Sequence, residues 1–370
     1  MKLKIGIIGT RGIPNNYGGF EQLAEQLSVG LVKKGHAVAV YNSHDHPFRE
    51  RSFNGVEIVR CYDPEKKIGA AGQFIYDWNC IQDAKKRDLD VLLFLGYTSS
   101  SIWGRLYPKK PIVISNMDGL EWKRSKYSRL VRWYLKYAEK LAVKYSDFFI
   151  TDSLAIQAYL EKKYIHFTSS YIPYGATIYE DAATEILDRY AIAAHNYYML
   201  MARMEPENNI EMILDGFHNS NTNKKFLVIG NTNNAFGKYI RSKFKTDERI
   251  VFLEGIFDAA ITHTLKASSM LYFHGHSVGG TNPSLLEAMA SKALLAVHEN
   301  DFNKAVVNED GYYFTSANDV QQLIEHTTRN FAEKKMIDNN FNKIKTKYNW
   351  QNIIDQYENF IIECFSQKTK

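Results

Sequence analysis

Short apolar runs alternate with helical segments along most of this chain, and the rhythm stops once and starts again. From Lys4 to about Pro173 the runs are Ile5–Ile8, Val38–Tyr41, Val56–Cys61, Val91–Leu95, Ile112–Ile114, Phe148–Ile150 and Tyr171–Ile172. Apolar runs of this kind, spaced by helix-length stretches, predict parallel strands whose two faces are both covered by helices. The pattern resumes at Tyr198–Met201 and continues through Phe226–Ile229, Ile250–Leu253, Met270–Phe273, Leu294–Val297 and Tyr312–Phe314. The expected architecture is α/β, with two doubly wound, Rossmann-like domains spanning 1–175 and 176–349 and a link near Pro173 to Asp181. After Val320 the sequence reads as helical, and a last helix within 350–370 is expected to pack back on the first domain. Two such domains make a cleft between loops, so informative residues should follow strands.

At 370 residues the chain is long for one core, since domains run to roughly 100–200 residues. Its 45% hydrophobic and 14% aromatic content is ample for packed cores. Cys61, Cys80 and Cys364 are widely spaced and odd in number, which suits buried thiols in a reducing compartment and no metal cluster. Lys2 to Ile8 leads straight into a strand, so neither a signal peptide nor a membrane span is expected. The expected location is cytoplasmic, with peripheral contact at the inner face of the membrane. A net charge of +5 is modest, and no nucleic-acid partner is expected. The charge is concentrated, however. Between Glu121 and Ser146 lie Lys123, Arg124, Lys126, Arg129, Arg132, Lys136, Lys140 and Lys144, interleaved with Trp122, Tyr127 and Trp133. A basic, aromatic helix over 122–144 either lies against anionic lipid or turns a charged face to water.

The first strand enters the glycine-rich stretch "KIGIIGTRGIPNNYGGFEQLAEQLSVGLVKKGHAV". Glycines between a strand and a helix allow backbone N–H groups to approach an anion, and the helix dipole favours negative charge there. Gly6, Gly9 and Gly12 come close to the dinucleotide fingerprint, but Pro14 to Gly19 delay the helix to about Phe20. The second strand ends in Asn42 and Ser43 where that fingerprint needs an acid. A phosphate cradle at Gly18–Gly19 and an ordinary connection both remain open.

In the second half, "YYMLMAR" ends a strand at Arg203 beside a helix start. A guanidinium there either clamps a phosphate or pairs with Glu205 or Glu207. "LYFHGHSVGGTNPSLLEAMASKALLAV" reads as strand, glycine-rich loop and helix, capped by Thr281 or Asn282, with Pro283 in its first position. Glu287 would repel phosphate, so its alternatives are sugar hydroxyls or solvent. In the first half Asp118 follows the strand "PIVISN", placed either to orient an acceptor or take its proton, or to cap the next helix.

Together, Gly18–Gly19 with Glu21, Arg203 with Pro206–Glu207, and Gly280 to Glu287 followed by Ala288–Met289–Ala290 resemble family 4 of the retaining glycosyltransferases, which have the GT-B fold. "GTRGIPNNYGGFE" and "NMDGLEWKRSKY" are similar to a bacterial branch that includes rhamnosyltransferases of capsule and cell-surface polysaccharide synthesis. The resemblance implies a nucleotide diphosphate sugar donor held mainly by the second domain, through Arg203, Gly280, Thr281, Asn282 and Glu287. It also implies a saccharide acceptor, lipid-linked in this setting, against the first domain. Two positions depart from the family. Its usual lysine is replaced by Asn208 and Asn209, and its first glutamate falls on Gly279. His276 is then a candidate substitute donor to the diphosphate, although both it and His274 read equally as packed polar residues. Helix N-termini and an arginine stabilise a departing diphosphate without a metal, and no Asp/Glu cluster for Mg²⁺ is evident. No other cofactor is expected. An epimerase of the same architecture and a non-catalytic nucleotide-sugar-binding module remain as alternatives.

Overall fold

The computed structural model describes the chain apart from residues 118, 125, 126, 166, 180–183, 257, 369 and 370. It divides into two compact units, one of Met1–Trp122, Ser128–Tyr174 and Trp350–Lys370, the other of Lys123–Tyr127 and Gly175–Asn349.

The first unit holds β1 (Lys4–Ile8), β2 (Ala37–Ser43), β3 (Ser52–Phe53), β4 (Val56–Cys61), β5 (Val91–Leu95), β6 (Ile112–Asn116), β7 (Phe148–Thr151) and β8 (Ser169–Tyr171). They form one sheet in the order β3-β4-β2-β1-β5-β6-β7-β8. All pairs are parallel except β3 with β4. That short β3 was not expected from its apolar content; it turns back through Asn54 (φ 49°) and Gly55 (φ 85°), the left-handed pair that a tight hairpin requires. The Gly19–Lys33 helix buries Leu23, Ala24, Leu27 and Leu31. On its other flank a Cβ at Gly30 would lie 2.5 Å from Ile354, so glycine lets the Trp350–Lys368 helix pack close. Lys34 pairs with Asp355 and Glu358 at 2.6 and 2.8 Å, and Asn116 at the end of β6 donates to the Tyr357 hydroxyl at 3.0 Å.

The second unit holds β9 (Tyr197–Met201), β10 (Lys225–Ile229), β11 (Ile250–Leu253), β12 (Leu271–His274), β13 (Leu295–His298) and β14 (Tyr312–Phe314), ordered β11-β10-β9-β12-β13-β14. All its pairs are parallel. Its core gathers Tyr198, Leu200, Phe217, Phe226, Phe273 and Phe314. In each sheet the chain steps outward from its first strand to one side and later returns to the other. The reversal falls between β1 and β5 in the first unit, and between β9 and β12 in the second.

The basic segment departs from the expected single helix over 122–144. Glu121–Lys123 is a separate short turn, and the helix spans Arg129–Tyr145 because Ser128, in extended backbone, caps it by accepting from the Val131 N–H. Its buried face is Leu135, Ala138, Glu139 and Ala142. Leu130, Val131, Trp133 and Tyr137 are exposed, as are Lys136, Lys140 and Lys144.

Candidate functional site

In the first unit the loop after β1 is sewn down by side chains. Gly9 (φ 100°) passes against the Leu95 carbonyl, where a Cβ would come within 2.3 Å. Asn42 is fully buried; its Oδ1 accepts from Ile13 N–H at 3.1 Å and its Nδ2 donates to Ile13 O at 2.7 Å. Asn42, next to the end of β2, therefore fastens the glycine loop, which is why an amide stands where a dinucleotide site has an acid. Buried Glu21 accepts from the Arg11 N–H at 2.9 Å. The Arg11 guanidinium forks onto Glu65 at 2.6 and 2.9 Å and lies 3.9 Å from the Tyr17 ring. Gly18 precedes the Gly19–Lys33 helix with no side-chain cap, and the Glu21 carboxylate lies close to it.

In the second unit the loops after β9 and β12, neighbours at the sheet's reversal, are stitched together. The Glu207 carbonyl accepts from Ser277 N–H and Oγ at 3.1 and 2.8 Å. Asn209 (φ 50°) donates through Nδ2 to Gly275 O at 2.7 Å, and Asn208 donates to Arg203 O at 2.8 Å. A Cβ at Gly275 would stand 2.0 Å from Asn208 O. The two asparagines at the position of the expected lysine thus hold the loop's shape. Arg203 is exposed. Among the described residues no ion pair joins its guanidinium to Glu205 or Glu207; Glu207 is buried and pairs with Arg124 of the same unit at 3.5 Å. Open backbone anchoring with an uncommitted guanidinium is the arrangement that receives an anion.

Strand alternation explains what lies beside Arg203. Leu271 and Phe273 enter the apolar core, so Tyr272 and His274 project from the opposite face. His274 is 1% exposed, and among the described residues neither of its ring nitrogens has a partner, nor has Nδ1 of His276. The two imidazoles stack at 4.4 Å and 14°. Burial above all, then the charges of Arg203 and Arg124, push His276 down to about 3, and burial pushes His274 well below the usual range. Both are neutral at neutral pH, so His276 can give a hydrogen bond but no positive charge.

Beyond them Gly279 has φ 139° with open space around it. A glutamate at this position would be strained. Thr281 is buried, and Asn282 caps the Pro283–Ala290 helix by accepting from the Ser284 N–H at 3.0 Å. Glu287 is not a merely solvated glutamate: its Oε2 lies 2.7 Å from Nζ of Lys266, which is 1% exposed on the Ala259–Ala267 helix.

The structure therefore brings Arg203, His276, Gly280, Thr281, Asn282 and Glu287 onto one end of the second unit's sheet or the helix that follows it. Gly18 and Gly19 belong to the first unit. Asp118 lies outside the described residues. Sequence reading missed Lys266, whose run "ITHTLKASS" carries no motif, and it missed Asn42 and Glu21 as loop fasteners. Among the described residues no three His, Cys, Asp or Glu side chains group as metal ligands, and no helix is long and apolar enough to cross a membrane.

A family model described as "Domain of unknown function (DUF1972)" matches residues 2–177. No curated protein matches by sequence. Among solved structures, sucrose-phosphate synthase from Thermosynechococcus elongatus superposes with a TM-score of 0.79 at 15% identity, covering 99% of this chain and 100% of that one. Anabaena HepE in complex with UDP and glucose gives 0.74 at 15% identity, with 98% and 100% covered. WaaG, a glycosyltransferase involved in lipopolysaccharide biosynthesis, gives 0.70 at 12% identity, with 97% and 99% covered. At such identities the likeness shows the fold, which is GT-B with two Rossmann-like units.

Proposed function

We propose that the chain is a retaining glycosyltransferase that moves a sugar from a nucleotide diphosphate sugar to a saccharide acceptor. The observation that carries this reading is the end of β9 and β12, where exposed Arg203, with no ion pair among the described residues, stands beside a neutral histidine and a capped helix start. When a glycosyl phosphate bond breaks, positive charge develops on the sugar and negative charge on the departing diphosphate. Donors fixed before the reaction stabilise that charge without reorganising. Arg203 supplies the cation, His276 a neutral donor, and the backbone amides of Gly280 and Thr281 the rest, with no metal required. Glu287 takes the nucleoside hydroxyls. Asp118 orients the acceptor or takes its proton, and Gly18–Gly19 lie on the acceptor side.

Rhamnose is the candidate sugar, in cell-surface polysaccharide synthesis, from the similarity of "GTRGIPNNYGGFE" and "NMDGLEWKRSKY" to that branch. The fold shared with HepE, whose structure holds UDP and glucose, supports a nucleotide-sugar donor. A lipid-linked acceptor agrees with the exposed face of the Arg129–Tyr145 helix, where Leu130, Trp133 and Tyr137 stand beside lysines. A thermal-shift screen of UDP, GDP and dTDP with their sugars tests the donor assignment. One nucleotide raising the melting temperature supports it, and indifference to the whole panel in the presence of EDTA and of Mg²⁺ alike removes it.

A further inference from the structure

We propose that Lys266 is a positioning residue of this same site, whose buried ammonium holds the Glu287 carboxylate in place to accept hydrogen bonds from the ribose hydroxyls of a nucleoside diphosphate. The inference rests on the nucleotide-sugar reading above. Its ground is the asymmetry of the pair. Lys266 is 1% exposed, whereas the Glu287 side chain is 36% exposed, and they meet at 2.7 Å. The cation therefore stands behind and the carboxylate in front.

Stability alone does not account for such a lysine. Removing an ammonium from water is costly, and an apolar side chain of the same volume serves a helix face at least as well. The Ala259–Ala267 helix is buried all round at this point, through the consecutive residues Thr262, His263, Thr264, Leu265 and Lys266. The value of the pair lies in geometry: a carboxylate held by a buried cation has already lost rotamer freedom that ligand binding would otherwise cost. The surroundings suit a nucleoside. The Tyr179 ring is 40% exposed and lies 5.5 Å from the imidazole of His263 on the same helix as Lys266. The Tyr272 hydroxyl is buried close to Ser284 and the Met201 backbone, with no hydrogen bond of good geometry among the described residues. Burial first and then the charge of Glu287 raise both phenols, so both stand near the carboxylate and neither ionises at neutral pH. A flat ring beside a fixed acceptor provides for a base and for a hydroxyl.

The test is calorimetry on the full chain with UDP, GDP and dTDP, and with inorganic pyrophosphate, for wild type, Glu287→Gln, Lys266→Met and the double variant. The expected result is about tenfold weaker nucleoside diphosphate binding in each single variant, unchanged pyrophosphate binding, and no further loss in the double variant, the mark of two residues acting as one unit. Wild-type affinity in Lys266→Met alongside a loss in Glu287→Gln overturns the role of Lys266 and leaves the nucleotide site standing. Equal loss of pyrophosphate and nucleotide in Lys266→Met also overturns it, since that is the signature of a merely structural lysine. Unchanged nucleotide affinity in Glu287→Gln removes the hydroxyl assignment and the inference with it. Lys266→Gln, read against the same outcomes, replaces Lys266→Met if the latter fails to fold.

Discussion

Arg203 is tied down by its carbonyl, which accepts from Asn208, while its guanidinium stays exposed. Arg203→Ala should therefore leave the melting temperature nearly unchanged and weaken nucleoside diphosphate binding. A charge-assisted hydrogen bond is worth about 1.5–3 kcal/mol, roughly ten- to over a hundredfold in affinity. Unchanged affinity by calorimetry removes Arg203 from the site. His276 makes a different prediction, on stability. Its folded value, near 3, lies below the ordinary 6.5 because burial disfavours the charged ring. Between those values the unfolded chain holds a proton that the folded chain lacks, so stability falls as pH drops from 6.5 towards 3 and owes nothing to this group above 6.5. Each such proton contributes a slope of about 1.4 kcal/mol per pH unit. His276→Gln should flatten urea-unfolding free energies between pH 6 and 4, and an unaltered slope would show that the ring titrates normally. At this scale the sequence was legible where a residue follows a strand, as with Arg203. It was silent where a side chain reaches across elements. Lys266 and Glu287 are 21 positions apart, and only packing of the two helices makes them a pair.

Elements were legible through their periodicity and obscured where a turn, not burial, creates them. Leu23, Leu27 and Leu31 recur at helical spacing and are buried together. β3 has too few apolar residues to register, yet Asn54-Gly55 in "FNGVEIV" is itself a hairpin signal. The Arg129–Tyr145 helix misled by its stripe. Leu130 and Tyr137 repeat at helical spacing but face outward, while Leu135, Ala138 and Ala142 are buried. Within that helix Trp133 and Tyr137 stack at 5.9 Å and 5°, a stiff aromatic pair next to exposed lysines. Reversing Lys136, Lys140 and Lys144 to Glu should reduce binding to anionic vesicles, with each basic residue near the surface contributing about 1 kcal/mol. Binding should also weaken as salt rises, since the Debye length is about 10 Å at 0.1 M. Wild-type protein that ignores anionic vesicles at low salt would sink the membrane contact and leave the transferase reading intact.

At the scale of the whole molecule, the restart of the strand rhythm made two units legible, because parallel strands buried on both faces can only be apolar throughout. The chemistry was less legible, since the same fold carries many reactions and function lies in its sites. In this chain the loops after β9 and β12 are braced by Asn208, Asn209 and Ser277, and among the described residues no ion pair engages the Arg203 guanidinium. The most direct measurement of the central claim is product analysis by NMR after incubation with the nucleotide sugar identified by binding and a panel of saccharide acceptors, soluble and lipid-linked. The account predicts release of the nucleoside diphosphate together with a glycoside that keeps the donor's anomeric configuration. A nucleotide sugar recovered as its epimer without any acceptor, or a glycoside with inverted configuration, would contradict it.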